Sequence, residues 1–480
     1  MASSSTTRPN DDAFESDIPA RLDRLPWSSW HRKVVIALGV AWALDGLEVT
    51  IVGSIASVLS EPTTLGLSES QIGAAASAYL GGAIVGALVF GRLADLWGRK
   101  RLFLITLGLY LTASLLTAFS TGFVSFCVFR ALTGAGIGGE YSAINSAIDE
   151  LLPARVRGRA DLAINATYWL GAVLGAGLSL VLLHPNVLPR EIGWRVCFAL
   201  GALLGIAILL VRVHVPESPR WLLLHNRRAR AEDTMLGIER AVARSRGALP
   251  DVSQKSELVP RGAATFRRVL SVLFRSHARR SVLGLVLMAT QAFAYNAVFF
   301  TYALVLSRFY GVRPEHAGLH ILPLAVGNLL GPWVLGRYFD TWGRRRMITL
   351  TYGVSAVLMA ATAVAFVEGA VGAWAQTLLW SGAFFFASAA ASSAYLTVSE
   401  LFPVELRGLA IAVFFAFGTA LGGLFAPALF GVLVQTGERP YVCLGYGLGA
   451  LMMGGAAMVA SRLAVDAEGK SLEQLAESAQ

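Results

Sequence analysis

The sequence predicts an all-α membrane protein: twelve transmembrane helices in two pseudo-symmetric six-helix halves. Three observations carry that expectation. Of 480 residues, 55% are hydrophobic and 15% charged, at a mean hydropathy of +0.59, whereas soluble domains average roughly 25% charged. About twelve apolar runs approach the roughly 20 residues that cross a hydrocarbon core. The charged stretch "GRLADLWGRKR" at 91–101 also returns as "GRYFDTWGRRR" at 336–346.

In chain order, residues 1–32 read as a polar, acidic tail without a signal-peptide core. Apolar runs near 34–59, 71–90, 102–120, 123–148, 161–183 and 194–213 build a first half over 33–213. Residues 214–279 are polar and Arg-rich. In them Ser218 and Pro219 read as helix N-cap and first helical residue. The stretch through "RRARAEDTMLGIERAVARSR" reads as one or two amphipathic helices, and "GALPDVSQKSELVPRGAA" as flexible linker. Runs near 281–306, 318–335, 347–367, 370–398, 409–434 and 441–461 build a second half over 280–462. The tail 463–480 ends in "SLEQLAESAQ", a short exposed helix. A second echo, "ELLPARVRG" at 150–158 and "ELFPVELRG" at 400–408, keeps nearly the offset of the first. The second half therefore repeats the first, the geometry in which a central site opens alternately to either side.

The net charge of +9 reports topology. About 34 of the 40 Lys and Arg fall on the side of the two termini, which the positive-inside rule makes cytoplasmic. Nucleic acid is not expected as a partner. Cys127, Cys197 and Cys443 lie within apolar runs, with no metal-ligand or disulfide spacing. No phosphate-binding GxxxxGK[ST], metal cluster or nucleophile triad occurs. An enzyme, a cofactor and an ATP-driven pump are thus not expected.

With these motifs the chain resembles the major facilitator superfamily over about residues 30–462. "PESPRWLL", "ELFPVELRG" and "RALTGAGIGGE" resemble its sugar-porter-like branch, which includes proton symporters of organic acids. "QAFAYNAVFF" (291–300) resembles the seventh-helix signature, keeping Gln291 and Asn296 but placing Thr290 where a glutamine is usual. Asn165 stands at a fifth-helix glutamine position. "ASSAY" (391–395) replaces a Gly-Pro-rich stretch, leaving Tyr395 in a tryptophan's place. "DGLE" (45–48) is as similar to the pattern of aromatic-acid proton symporters as to that of sugar porters.

Gly91 and Gly98 permit a tight turn and close helix approach, Asp95 starts the connection, and Arg99 faces the cytoplasm. The resemblance implies ion pairs of these groups with Glu150 and Arg157, and a second set from Asp340, Arg344, Glu400 and Arg407. Single exposed pairs are worth only about 0–1 kcal/mol, so a cytoplasmic gate needs the network.

Asp45, Glu48, Arg130 and Glu140 sit deep in apolar runs of the first and fourth spans. Each costs at least about 2.5–3.5 kcal/mol at a helix centre. Asp45 and Glu48 share a helix face. The resemblance aligns Glu48 with the first-helix acid that couples protons in sugar porters, and Arg130 with the fourth-helix arginine. A carboxylate beside an arginine stays ionised and takes a proton when the arginine leaves, so a change in that distance links protonation to transport. Glu140 either joins that cluster or binds a neighbouring helix.

The second half offers neutral groups instead. Gln291, Tyr295, Asn296 and Tyr395, with Asn165 from the first half, are the candidate solute contacts. Tyr302, Asn328, Gln376 and His320 read as packing residues. The expectation is a monomeric, multi-pass transporter of the plasma (bacterial inner) membrane that couples protons to a sugar, polyol, or organic or aromatic carboxylate. Uncoupled facilitation and proton-driven export are the alternatives, and a non-transporting sensor a remote one.

Overall fold

The computed structural model describes residues 14–212, 216–252, 256–258, 270–401 and 407–464. The first half runs α2 (Ser29–Leu59), α3 (Glu69–Trp97), α4 (Arg99–Ala118), α5 (Phe123–Leu151), α6 (Ala154–Leu182) and α7 (Arg190–Arg212). The second runs α10 (Ala278–Phe299), α11 (Tyr302–Tyr310), α12 (Ala317–Thr341), α13 (Arg344–Val367), α14 (Ala373–Leu401), α15 (Arg407–Gly418), α16 (Ala426–Gln435) and α17 (Arg439–Leu463). Ten segments among the described residues are long and apolar enough to span a membrane. Helices α5 and α7, of 29 and 23 residues, bring the set to twelve. Trp333, Phe425 and Leu451 are among the large apolar side chains left on the outside, as a lipid-facing surface requires.

Two runs that read as continuous are broken. The seventh span stops at Phe299 and restarts at Tyr302. The eleventh passes through a π-helical turn at Thr419–Gly423 before α16, which carries Pro427 in its first turn. Such turns concentrate at functional sites, and both breaks here adjoin the central cavity. The repeated hinges fold alike: Gly98 has φ 95° and Gly343 φ 94°, a region that favours glycine.

Helices pack where small residues let backbones meet. A Cβ added at Gly82 of α3 would fall on the carbonyl of Ala131 of α5, and one at Gly134 of α5 on the carbonyl of Tyr79. Gly331 of α12 meets the carbonyl of Phe385 of α14 in the same way, so the repeat holds in packing.

The N-terminal tail and linker depart from the reading as plain polar segments. Residues Phe14–Ser16 (β1) pair antiparallel with Ser256–Leu258 (β2), inside the stretch read as flexible. A short helix, α1 (Ile18–Arg24), buries Ile18 and Leu22 in a small core with Trp221 of α8 (Pro219–Leu224) and Met235 and Ile238 of α9 (Arg228–Arg246). Ser218 caps α8, accepting from the Trp221 N–H at 3.1 Å. "SLEQLAESAQ" lies outside the described residues.

Ionic contacts pin α1. Arg21 donates to Glu232 at 2.7 Å and to Glu239 at 2.7 Å, and Arg24 also donates to Glu239. Burial works to raise the Glu239 carboxyl, but both arginines outweigh it and hold it below its ordinary 4.5. A depressed carboxylate stabilises the clasp fully above its unfolded value and loses that contribution as the pH falls through the folded one. Hydrogen bonds to charged groups contribute about 1.5–3 kcal/mol. Glu239→Gln should therefore speed amide exchange over residues 18–25 about tenfold or more at pH 7. The wild type, corrected for intrinsic rates, should approach the variant below about pH 4; equal exchange at pH 7 would contradict the clasp.

Candidate functional site

Between the halves lies a cavity of about 140 Å³. Trp42 (α2), Tyr79 (α3), Tyr141 (α5) and Asn165, Tyr168 and Trp169 (α6) line it from the first half. Gln291, Tyr295 and Asn296 (α10), Ser388, Ser392 and Tyr395 (α14), Phe415 (α15) and Thr419 line it from the second. All five solute-contact candidates, Asn165, Gln291, Tyr295, Asn296 and Tyr395, are thus on its wall. Eight described lining residues are aromatic, and none carries a full charge. An engineered apolar cavity of roughly 150 Å³ holds benzene, so this volume suits one ring.

Aromatic pairs cross the gap between halves. Tyr141 stacks on Phe415 at 4.5 Å between centroids, and Trp169 lies 5.4 Å from Tyr295. The Tyr295 hydroxyl donates to Asn328 Oδ1 at 2.6 Å, while Ser388 donates to the Asn328 carbonyl at 2.7 Å. Buried Asn328 therefore sets the orientation of two cavity residues without touching the cavity. Asn296 donates to the Ala292 carbonyl at 2.7 Å, and the Gln291 amide lies beside the Tyr395 hydroxyl. His320 and Tyr302 share Thr377, at 2.9 and 2.8 Å, and Gln376 donates weakly to the Thr362 carbonyl at 3.4 Å.

Among the intramembrane charges, Glu48 and Arg130 are joined directly. Arg130 Nη1 donates to Glu48 Oε1, with both residues buried. The guanidinium lies over the Tyr79 ring at 4.6 Å and faces Phe198 at 5.7 Å. Arg130 therefore does not line the cavity; one ring of the wall, Tyr79, stands between. Asp45 is buried one turn along α2 from Trp42, next to Gly46, which packs on the Tyr168 backbone. Glu140 is buried ten residues along α5 from Arg130, about 15 Å away at 1.5 Å per residue, and is separate from the pair.

A family model described as "Sugar (and other) transporter" matches residues 34–477. The chain belongs to that family. It is 26% identical over 417 residues to the niacin transporter NiaP of Acinetobacter baylyi, covering 86% of this chain and 89% of that one. It is 26% identical over 409 residues to a metabolite transport protein of Haemophilus influenzae, covering 85% and 90%. The major facilitator superfamily proton:xylose symporter XylE superposes with a TM-score of 0.74 at 21% identity, covering 94% of this chain and 99% of that structure. Likeness at that identity establishes the fold alone: a multi-pass membrane bundle arranged as in that major facilitator superfamily structure.

The transporter is tied at both ends of the bundle. At the end bearing the linker, Arg99 donates to Glu150 at 2.7 Å. Glu217, in "PESPR", accepts from the backbone N–H groups of Arg99 and Lys100 at 3.0 and 3.2 Å, a carboxylate on the positive end of α4. Gly91 and Arg344 are buried on the same side. The side chains of Asp95, Arg157, Asp340, Glu400 and Arg407 lie outside the described residues.

Sequence reasoning missed the tie at the far end. Arg190, opening α7, donates to Glu61 just past α2 at 2.5 Å, and to Glu315 of the second half at 2.9 Å. Beside it, Gly73 of α3 packs on the Pro427 carbonyl and Gly53 of α2 on that of Phe299, so this end is shut. The available signal was three charges in short connections between apolar runs. Partly exposed pairs contribute about 0–1 kcal/mol each. Of the two, only the Arg190–Glu315 pair joins the halves, so Arg190→Gln should shift the open-to-closed ratio at this end by roughly fivefold at most. Spin labels at Val187→Cys and Glu368→Cys, in a background without native cysteines, should show a larger long-distance population; an unchanged distribution would remove Arg190 from the gate.

Proposed function

We propose that this transporter is a proton-coupled symporter of a small single-ring organic solute, with an aromatic carboxylate the class its cavity suits best. The observation that carries the reading is the Glu48–Arg130 pair, buried one ring behind the wall of an aromatic cavity. Solute rings stack on Trp and Tyr faces. An anion there draws on the nearest cation, Arg130, and weakens its hold on Glu48. Glu48 then takes a proton, and anion and proton travel together without net charge. Asp45, one turn away, gives that proton a second carboxylate on its path. Alternating access follows as the Arg190 tie and the Arg99–Glu150–Glu217 ties open in turn.

In this reading the linker face is cytoplasmic, because the Lys and Arg residues concentrate there, and one chain carries the whole pathway. The niacin transporter among the relatives supports an aromatic acid. The amides of Asn165, Gln291 and Asn296 and the hydroxyls of Ser388 and Ser392 favour a second reading, a polyol or sugar.

The test is purified protein in liposomes loaded with a pH-sensitive dye, with empty liposomes as the baseline for undissociated acid. Niacin and other aromatic monocarboxylates should evoke protein-dependent internal acidification, at least about tenfold smaller in Glu48→Gln and reduced in Asp45→Asn. Acidification by polyols or hexoses alone would favour the second reading. Solute entry at constant internal pH would make the protein a facilitator.

A further inference from the structure

We infer that Tyr79 is the positioning residue that holds Arg130 on Glu48 and reports solute occupancy to that pair; the inference rests on the proton-coupled reading above. Three observations converge on this one ring. It lines the cavity, so an occupant touches it. The Arg130 guanidinium lies over its face at 4.6 Å. Its ring also lies 5.9 Å from Phe300, at the break where α10 gives way to α11. Solute, buried cation and a broken helix of the other half therefore meet at one side chain.

The sequence builds this junction. Gly82 of α3 admits the backbone of Ala131, and Gly134 of α5 admits the carbonyl of Tyr79 itself. Position 79 is thus locked to the turn of α5 that carries Arg130. Among the described residues, Arg130 Nε and Nη2 have no hydrogen-bond partner. Beyond Glu48, the aromatic faces of Tyr79 and Phe198 are what hold the cation in place, an attraction that grows when both groups are desolvated. When the Tyr79 ring turns, the guanidinium loses its seat and Glu48 its counter-charge.

Several titratable groups surround Glu48. They are Asp45 on its own helix, Arg130 on α5, Tyr79 on α3, Tyr110 on α4 and Tyr168 on α6, with Glu140 farther along α5 beside Tyr110. Arg130 is the cation among them, so its placement dominates the proton affinity of the carboxyl.

The test needs no solute. Infrared difference spectroscopy of the reconstituted full-length protein, titrated with acid, should show a protonated-carboxyl band that Glu48→Gln removes. Tyr79→Leu and Tyr79→Met, two changes that keep bulk and lose the ring, should move its midpoint about one unit toward higher pH, a roughly tenfold change in proton affinity. Tyr79→Phe, which keeps the ring face, should stay within about a third of a unit of wild type. Titration of Tyr79→Leu or Tyr79→Met together with wild type would overturn the positioning role. An equal shift in Tyr79→Phe would overturn the ring face as its cause. A wild type with no band sensitive to Glu48→Gln would instead overturn the proton-coupled reading on which the inference rests.

Discussion

A guanidinium with no solvent-exposed surface, bonded to one carboxylate inside a lipid-facing helical bundle, is the constraint around which the first half is organised. Taking each charge out of water costs several kcal/mol even after relaxation, and a buried pair regains that only with good geometry. The geometry comes from small residues. Gly82 and Gly134 bring α3 and α5 into backbone contact, which sets Tyr79 and Arg130 face to face. Gly46, on the turn between Asp45 and Glu48, lets α2 lie on α6 at Tyr168. Without those approaches the pair would have neither its ring nor its depth.

The second half answers with neutral groups and broken helices. The interruptions at Phe300–Thr301 and Thr419–Gly423 place Tyr295, Asn296, Phe415 and Thr419 around the cavity. They also give the second half joints that the first half lacks among its described spans. In the proposed mechanism, rigid packing near the charges and jointed helices opposite them carry the effect of occupancy from one side to the other. Ties at both ends of the bundle, Arg190 far from the linker and Arg99 with Glu150 and Glu217 near it, are weak enough singly to exchange.

Much of this was legible in the sequence because cost and repetition leave marks. The twelve apolar runs, the paired hinges at Gly98 and Gly343, and the charges at Glu48 and Arg130 all stand out against lipid. Four of the five candidate solute contacts came from similarity to a family pattern, and the structure sets all five around the cavity, Asn165 from the first half and the rest from the second. What stayed hidden depends on tertiary contact. The helix breaks sit inside unbroken apolar runs. Helix α1 is seven residues long and exists against Trp221, Met235 and Ile238. Tyr79 looks like one more apolar residue of its span, unless Gly82 and Gly86 are read as the face that meets α5. Glu140 carried the same intramembrane cost as Arg130, yet linear cost says nothing about distance, and it lies about 15 Å along the helix.

The central claim is that the Glu48–Arg130 pair couples protons and is not simply a structural bond. The most direct measurement compares Glu48→Gln, Arg130→Met and the double variant in liposomes, reading thermal stability, solute counterflow and pH-driven accumulation on the same preparations. Each single change strands a buried group and should destabilise by about 3–5 kcal/mol, whereas removing both should restore much of the stability. The expected double variant is folded and exchanges solute at equilibrium, but does not accumulate it against a gradient when the pH is stepped. Accumulation at the wild-type level in that double variant would contradict the claim and leave the pair a structural one.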